Sequence, residues 1–410
     1  MSNYRTYIIH TCERTDELDA INELGGRIYS KTVSLVRKVN DRKDFWLSVG
    51  DAKKYLRCLE YPCHAHSVQA IIDDYYGALR SFFSRRKRDP KARPPYKTRK
   101  YHPFTWRATG ISIQDDKMRL SMGKDRDAIL IPVAKVFGKV AVEVSMIYNR
   151  KKRCFEFHAT YQVKPTQHRP KKRSAVAVDM GEIHPISAFD GQQALIINGR
   201  FIRSVKQYRN KFLARINHKI SRCKRGSHRW KVLKAAKNRV LTKIKNQIKD
   251  TEHKITSFFV SACRVNKAQT IVLGDIKHIR QSINYSKRSN QKLHQWSFGK
   301  ISRMITYKAE QLGIEVKTES EKYTSQTCPS CKHKHKPSGR VYKCPKCGWT
   351  GHRDVVGASN IWTKYQGWVF NPVVGVLASP AGVRFTPHLR RLDSWSPFRG
   401  LISKKPVKNR

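Results

Sequence analysis

Between residues 15 and 85, apolar side chains recur every three or four positions, as in Val68, Ile71, Ile72, Tyr75, Tyr76, Leu79, Phe82 and Phe83. That period puts them on one face of a helix and predicts a helical block. The block ends in Arg85-Arg86-Lys87-Arg88 and a proline-rich turn over 90–95. On either side of it the period changes to two. Residues 4–10 alternate as a strand does. From 104 to 166 the pattern is one of short alternating stretches separated by turns, including Gly110-Ile-Ser-Ile, Met118-Arg-Leu-Ser and Cys154-Phe-Glu-Phe-His-Ala-Thr-Tyr. The pattern predicts a small β-barrel or sandwich with the helical block inserted after its first strand.

A basic linker, Arg169-Pro-Lys-Lys-Arg173, precedes a different rhythm. Ala175-Val-Ala-Val-Asp179-Met-Gly181 reads as a buried strand that ends in an acid and a glycine turn. A strand pair follows over 186–203, then a long, very basic helical region over 205–265, broken near Gly226-Ser227. Thr270-Ile-Val-Leu-Gly-Asp-Ile276 reads as another buried strand. A helix over 296–312, a strand over 314–320 and, after an interruption, a helix from about 355 complete the series. This order fits an RNase H-like α/β fold, in which chemistry collects at the carboxyl ends of the strands.

Charge changes the picture next. With 84 Lys and Arg against 30 Asp and Glu, the net charge is +54, spread over the whole chain. A partner of dense negative charge is expected, nucleic acid first. No run of 18 or more apolar residues and no signal peptide is visible, so no membrane role is expected. Neither are disulfides, because the ten cysteines lack a secretory context. Helices with Lys or Arg on nearly every face over 205–250 suit a place between nucleic-acid strands. The candidate phosphate contacts are Arg85, Arg86, Lys87, Arg88, Lys224 and Arg225. The aromatics Tyr76, Phe82, Phe83, Tyr96 and Trp106 suit either base stacking or a core.

The sharpest chemical signal is C-terminal. Cys328-Pro-Ser-Cys331 and Cys344-Pro-Lys-Cys347 frame a 12-residue basic loop. Four thiolates at this spacing make a closed tetrahedral Zn²⁺ site, structural in kind. Cys58, Cys63, His64 and His66 match no common knuckle. Seven residues past Cys347, Asp354 opens an apolar helix in a chain where acids are scarce. Phosphodiester cleavage by two Mg²⁺ ions about 3.5–4 Å apart needs converging carboxylates. Asp179 and Asp354 are the first candidates.

These residues resemble a known family. Ala175-Val-Ala-Val-Asp179-Met-Gly181, Trp296-Ser-Phe with Tyr307-Lys-Ala and Gly313-Ile, Tyr323-Thr-Ser-Gln-Thr-Cys-Pro-Ser-Cys331, and Asp354-Val-Val-Gly-Ala-Ser-Asn-Ile361 look like the motifs of the TnpB proteins of insertion sequences. Those are RNA-guided DNA nucleases related to type V CRISPR effectors and to Fanzor proteins. The motif-bearing resemblance covers about 172–363. It implies a multidomain α+β chain. A wedge-type β-barrel would span 1–12 and 104–168, with a helical recognition lobe inserted over 13–103. A RuvC/RNase H-like nuclease domain would span 172–322 and 351–365, carrying a zinc ribbon over 323–350. A basic, weakly ordered tail over 366–410 would follow. The partners implied are a guide RNA and target double-stranded DNA cut next to a short motif, the protein acting as a monomer in the prokaryotic cytoplasm at the nucleoid.

The sequence departs from the family at two places. Most members carry a catalytic Glu where this chain has Gly274, and Asp275 is expected on the opposite face of the strand. Either the chain is a nuclease-inactive, RNA-guided DNA-binding repressor, or the glutamate has moved. Glu321, just past the strand 314–320, is the candidate for the moved ligand. It would lie one strand spacing, about 4.8 Å, from the strand of Gly274. Glu319 is a weaker candidate. The catalytic set expected is therefore Asp179, Glu321 and Asp354. The second departure is Val356, where many relatives carry Asn. A DNA transposase is the reading from another class. The missing Tyr or Ser recombinase signature and the position of the ribbon argue against it.

Overall fold

The computed structural model describes residues 3–132, 140–150, 152–163, 174–276, 284–367 and 381–384. The basic linker 169–173 and most of the tail lie outside these described residues. The chain divides into two units, Met1–Lys164 and Pro165–Arg410.

In the first unit, β1 (Asn3–Glu13) leads into α1 (Asp16–Lys43), α2 (Val49–Arg57) and α3 (Ala65–Arg86). The strands β2 (Phe104–Arg107), β3 (Ile111–Gln114), β4 (Lys117–Leu120), β5 (Ile129–Pro132), β6 (Glu143–Asn149) and β7 (Cys154–Val163) follow. They form two antiparallel sheets, β1-β7-β6-β2 and β3-β4-β5. Thr15 and Ser48 start α1 and α2 by accepting hydrogen bonds from Leu18 N and Asp51 N, the usual use of a hydroxyl at a helix start. One apolar core joins helices and strands, with Ile28, Ile71, Tyr75, Phe104, Trp106, Phe155 and Phe157 at its centre. Tyr76, Phe82 and Trp106 are therefore core residues. Phe83 stays exposed, edge-on to Trp46. Cys63 is also sequestered, its thiol pushed up to about 12 by burial.

The second unit holds a six-stranded sheet. Its strands are β8 (Ala175–Asp179), β9 (Ile186–Phe189), β10 (Ala194–Asn198), β11 (Thr270–Asp275), β12 (Glu315–Ser320) and β15 (Ala381–Arg384), in the order β12-β11-β8-β9-β10-β15. Helices α4 (Arg200–Ser221) and α5 (His228–Val265) connect β10 to β11, and α6 (Lys287–Gln295) and α7 (Phe298–Gln311) connect β11 to β12. The hairpin β13 (Val341–Lys343) and β14 (Thr350–His352) runs directly into α8 (Arg353–Tyr365). β8, β11 and β12 are parallel; β9 is antiparallel to β8 and β10.

Side chains alternate across the sheet. Val176, Val178, Ile271 and Leu273 face α5 and α7 with Ile255, Phe259, Ile301 and Ile305. Ala175, Ala177 and Val272 face the other way, against Ile361 of α8. The all-round charge expected over 205–250 is not complete: α4 and the first half of α5 are largely exposed, but each keeps an apolar side, with Ile202, Ile216 and Ile244 buried. From Thr251 onward α5 buries Glu252, Ile255, Thr256, Phe259 and Val260, because that half lies on the sheet.

Two differences from the sequence reading concern the edges. Residues 381–384, expected within a weakly ordered tail, form β15 and pair in parallel with β10 from Leu195↔Ala381 to Asn198↔Arg384. Ala-Gly-Val-Arg has no readable period; the open edge of β10 decides its conformation. The segment 287–295, not predicted as helical, is α6, capped by Ser286 and without buried residues. Among the described residues, no helix is long and apolar enough to cross a membrane.

Candidate metal centre

Alternation along β8 puts Asp179 on the same sheet face as Ala175 and Ala177, the face covered by α8. Helix α8 comes close there because Gly357 has no side chain. A Cβ at Gly357 would lie 2.5 Å from Asp179 Oδ2 and 2.9 Å from its Cγ. The register Thr270↔Ala175 through Leu273↔Val178, continued by one residue, brings Gly274 level with Asp179 on that face. Asp275 is exposed and has the opposite parity, as expected for its neighbour.

Glu321 occupies the space over Gly274. A Cβ built at Gly274 would sit 2.5 Å from Glu321 Cγ and 2.6 Å from its Cδ. β12 pairs with β11 through Gly274↔Glu319 and Asp275↔Ser320, so Glu321 leaves the strand one residue later with the parity that faces Gly274. Its Oε1 is buried with no hydrogen-bond partner. Glu319, paired with Gly274 in the register, is only half-buried, and its carboxylate accepts from Ser320 N at 3.0 Å.

Asp179 senses the charges of the other two carboxylates. Burial first, and then the charges of Glu321 and Asp354, push Asp179 well above the usual carboxylate range. Burial, with Asp275 second, pushes Glu321 up to about 7. Asp354 goes the other way. Burial would raise it, but His184 Nδ1 at 2.6 Å and Arg340 Nη1 at 2.9 Å, both on Oδ2, outweigh that and hold it below its ordinary value. Two buried carboxyls whose ionisation is disfavoured, beside a third held ionised, are a charge arrangement a divalent cation would relieve. The donor set is all oxygen, with one orphaned buried acceptor, and so fits Mg²⁺.

The cysteines come together as their spacing predicts. Cys328 and Cys347 sulfurs lie 3.7 Å apart, and those of Cys331 and Cys344 lie 3.5 Å apart. A zinc–thiolate tetrahedron with bonds of about 2.3 Å has edges of about 3.8 Å, so the four fit the ion. Backbone N–H groups of Ser330 and Cys331 aim at Cys328, and those of Lys346 and Cys347 at Cys344, the supporting contacts a thiolate site uses. The cluster is built into the base of α8. Val356 is fully buried against Cys328, Tyr342 and Cys344, and Asn360 Nδ2 donates to Thr324 O and Thr327 O at 2.7 and 2.8 Å. Val356, read in the sequence as the loss of a polar partner, is thus an apolar plug between helix and ribbon.

The predicted phosphate contacts are all exposed. Arg85 and Arg86 close α3, followed by Lys87 and Arg88, and Lys224 and Arg225 form the turn between α4 and α5. A cavity of about 490 Å³ between α4, α5, α6 and α7 adds Arg203, Lys206, Lys211, Arg288 and Lys292 around buried Glu252. His184, His352 and Arg340 were not legible in the sequence. His184 follows β8 by five residues and Arg340 sits inside the ribbon loop, so only folding brings them to Asp354.

A family model described as "Cas12f1-like, TNB domain" matches residues 298–361, and one described as "Probable transposase" matches residues 158–280. A TnpB-like protein of Methanocaldococcus jannaschii is 35% identical over 124 residues, 30% of this chain and 44% of the relative. A putative RNA-guided DNA endonuclease of Escherichia coli is 24% identical over 310 residues, 72% of this chain and 73% of the relative. These matches make the chain similar to TnpB proteins over its second unit. Its match spans less than half the length of the archaeal TnpB-like relative. A structure of Cas12f1 with sgRNA and target DNA superposes with TM-score 0.59 at 13% identity, covering 84% of this chain and 82% of that one. That likeness shows an α+β multidomain fold. The match over 298–361 includes α7, β12, the ribbon and the start of α8, and so spans both Glu321 and Asp354.

Proposed function

We propose that the chain is an RNA-guided DNA endonuclease of a transposable element, cleaving target DNA next to a short motif by two-metal-ion phosphodiester hydrolysis. The observation that carries this reading is the seat of Glu321, whose side chain fills the volume a residue at 274 would occupy, on the sheet face of Asp179. It favours a relocated glutamate over an inactive site. On this reading Asp179, Glu321 and Asp354 hold the ions. Bound Mg²⁺ would supply an activated water and stabilise the leaving oxygen. His184 and Arg340 orient Asp354 and keep it ionised. Asp179 and Glu321 give up their protons when the cations enter.

The finer assignment follows from the same reading. The second unit is a RuvC-like, RNase H-type nuclease domain over 172–322 and 351–365, with the zinc ribbon over 323–350. In the first unit, 1–12 and 104–168 form a wedge-type barrel and 13–103 a recognition lobe. A guide RNA and double-stranded target are the partners, with Arg85–Arg88, Lys224 and Arg225 on phosphates. The protein acts as a monomer in the prokaryotic cytoplasm at the nucleoid. The relatives support this by their names: the Escherichia coli protein is a putative RNA-guided DNA endonuclease, and the Cas12f1 structure carries sgRNA and target DNA.

The test is Mg²⁺-dependent cleavage of a matched duplex by the chain purified with its RNA. Asp179→Ala, Glu321→Ala and Asp354→Ala should each abolish cutting while RNA and target remain bound. Wild-type cutting by Glu321→Ala sinks the relocated glutamate. A native complex that binds its target, represses it and never cuts establishes the repressor instead.

A further inference from the structure

Two histidines flank Asp354, and neither belongs to the carboxylate set above. His184 lies in the turn after β8, and His352 ends β14, two residues before Asp354. One ligand atom from each of His184, His352 and Asp354 lies within 4.8 Å of the other two. The two donors to Asp354 converge on Oδ2, which leaves Oδ1 for an ion. His184 Nδ1 lies 2.6 Å from Asp354 Oδ2, close enough for the two residues to be neighbouring ligands of one ion, with Nδ1 exchanging its proton for the metal. Nδ1 of His352 is buried and has no hydrogen-bond partner. The two rings stand 5.3 Å apart between centroids, tilted by 58°, so they approach without stacking face to face.

Mg²⁺ takes oxygen ligands and gives up water reluctantly. Imidazole nitrogen suits transition ions, and Mn²⁺, although it shares the oxygen preference of Mg²⁺, accepts a nitrogen ligand more readily than Mg²⁺ does. We infer that His184, His352 and Asp354 form a mixed nitrogen–oxygen position for a divalent transition ion, so that the Asp354 half of the centre takes Mn²⁺ in preference to Mg²⁺. The inference deepens the proposed nuclease reading and rests on it for any effect on cleavage, but metal binding is read separately.

The probe is Mn²⁺ added to the zinc-loaded full chain. Electron spin-echo modulation of the bound ion should show coupling to nitrogen nuclei, which carboxylates and water do not give. His352→Ala and His184→Ala should each weaken that coupling, the double variant should lose it, and Glu321→Gln should keep it. In competition, Mn²⁺ should displace Mg²⁺ from the native chain, and each histidine variant should lower Mn²⁺ affinity about tenfold or more while leaving Mg²⁺ affinity nearly unchanged. Zinc content and a thermal melt identify a variant that failed to fold, for which His352→Asn or His184→Asn is substituted. Absence of nitrogen coupling in the native chain, or coupling that survives in the double variant, overturns the inference. Equal cleavage on both ions without nitrogen coupling would also overturn it and leave the nuclease standing. Nitrogen-coupled Mn²⁺ in a chain that never cuts would uphold the site and remove the nuclease.

Discussion

If the proposed nuclease reading holds, a single methyl group at position 274 is expected to disable cleavage by moving Glu321. Gly274 lies in extended backbone on β11, so alanine meets no conformational penalty there. The added carbon would come within 2.5 Å of Glu321 Cγ and 2.6 Å of Cδ, where ordinary contact begins near 3.4 Å. Glu321 must therefore retreat by roughly 0.9 Å, and a catalytic group misplaced by about 1 Å typically costs about 10²-fold in rate. The cost to folding should be modest, about 1–3 kcal/mol for an overpacked site. Single-turnover cleavage of a matched duplex in Mg²⁺, beside a denaturant melt, separates the two effects. Gly274→Ala should cut at least about 10²-fold slower than native with the fold intact. Gly274→Glu combined with Glu321→Ala should recover most of that loss, because a glutamate at 274 would rise from the level of Asp179 into the vacated space. A Gly274→Ala enzyme that cuts at the native rate would refute the reasoning, as would a double variant no faster than Glu321→Ala alone.

Three further outcomes follow. Removing the zinc by chelation, or Cys344→Ser, should abolish cleavage together with ribbon structure, since β14 runs without a linker into α8 and Asp354; persistent cutting by a zinc-free chain would break that link. Glu321, at about 7 in the fold, retains its proton up to that pH, whereas an unfolded glutamate loses it near its ordinary 4.5. The folded state therefore binds more protons between those values, and the metal-free chain should lose stability as pH rises from 4.5 to 7. Mg²⁺ affinity should rise over the upper part of the same window, and Glu321→Gln should flatten the stability profile; calorimetric titrations at pH 6 and 8 check both. Val356→Asn, which introduces the residue expected from the resemblance in many relatives, should destabilise this chain by about 1–3 kcal/mol because its amide would be buried against Cys328, Tyr342 and Cys344; an unchanged melt would show that the ribbon does not rest on it.

Much of the second unit was readable because its signals are local. The apolar run Ala175–Val178 ending in Asp179, the matching run at Thr270–Leu273 and the paired Cys-x-x-Cys spacings each sit within a few residues of sequence. Period-2 and period-3.6 patterns also located β1, α1, α3 and β7, and the parity that turns Asp275 away from Asp179 is a property of any strand. What escaped is non-local or patternless. The strand β15 has four residues and no period, and α6 is a polar helix with no buried face. His184 and Arg340 lie 170 and 14 residues from Asp354 along the chain, and no spacing rule links them. Val356 could be read only as a missing amide until the ribbon core was seen to close on it.

The amino-acid sequence by itself determined the order of elements, the paired Cys-x-x-Cys spacing, the cationic composition and which acids are proposed to hold a metal. These follow from side-chain chemistry and from backbone periods that hold whatever the chain packs against. The tertiary structure decided which acid stands where the family's glutamate is missing, and which residues set the charge of each carboxylate. That depended on a register between β11 and β12 that brings Glu321 over Gly274, and on the approach of α8 that Gly357 permits. Burial, proximity and the filling of one empty volume are properties of packing between distant segments, so they exist only once the sheet has formed.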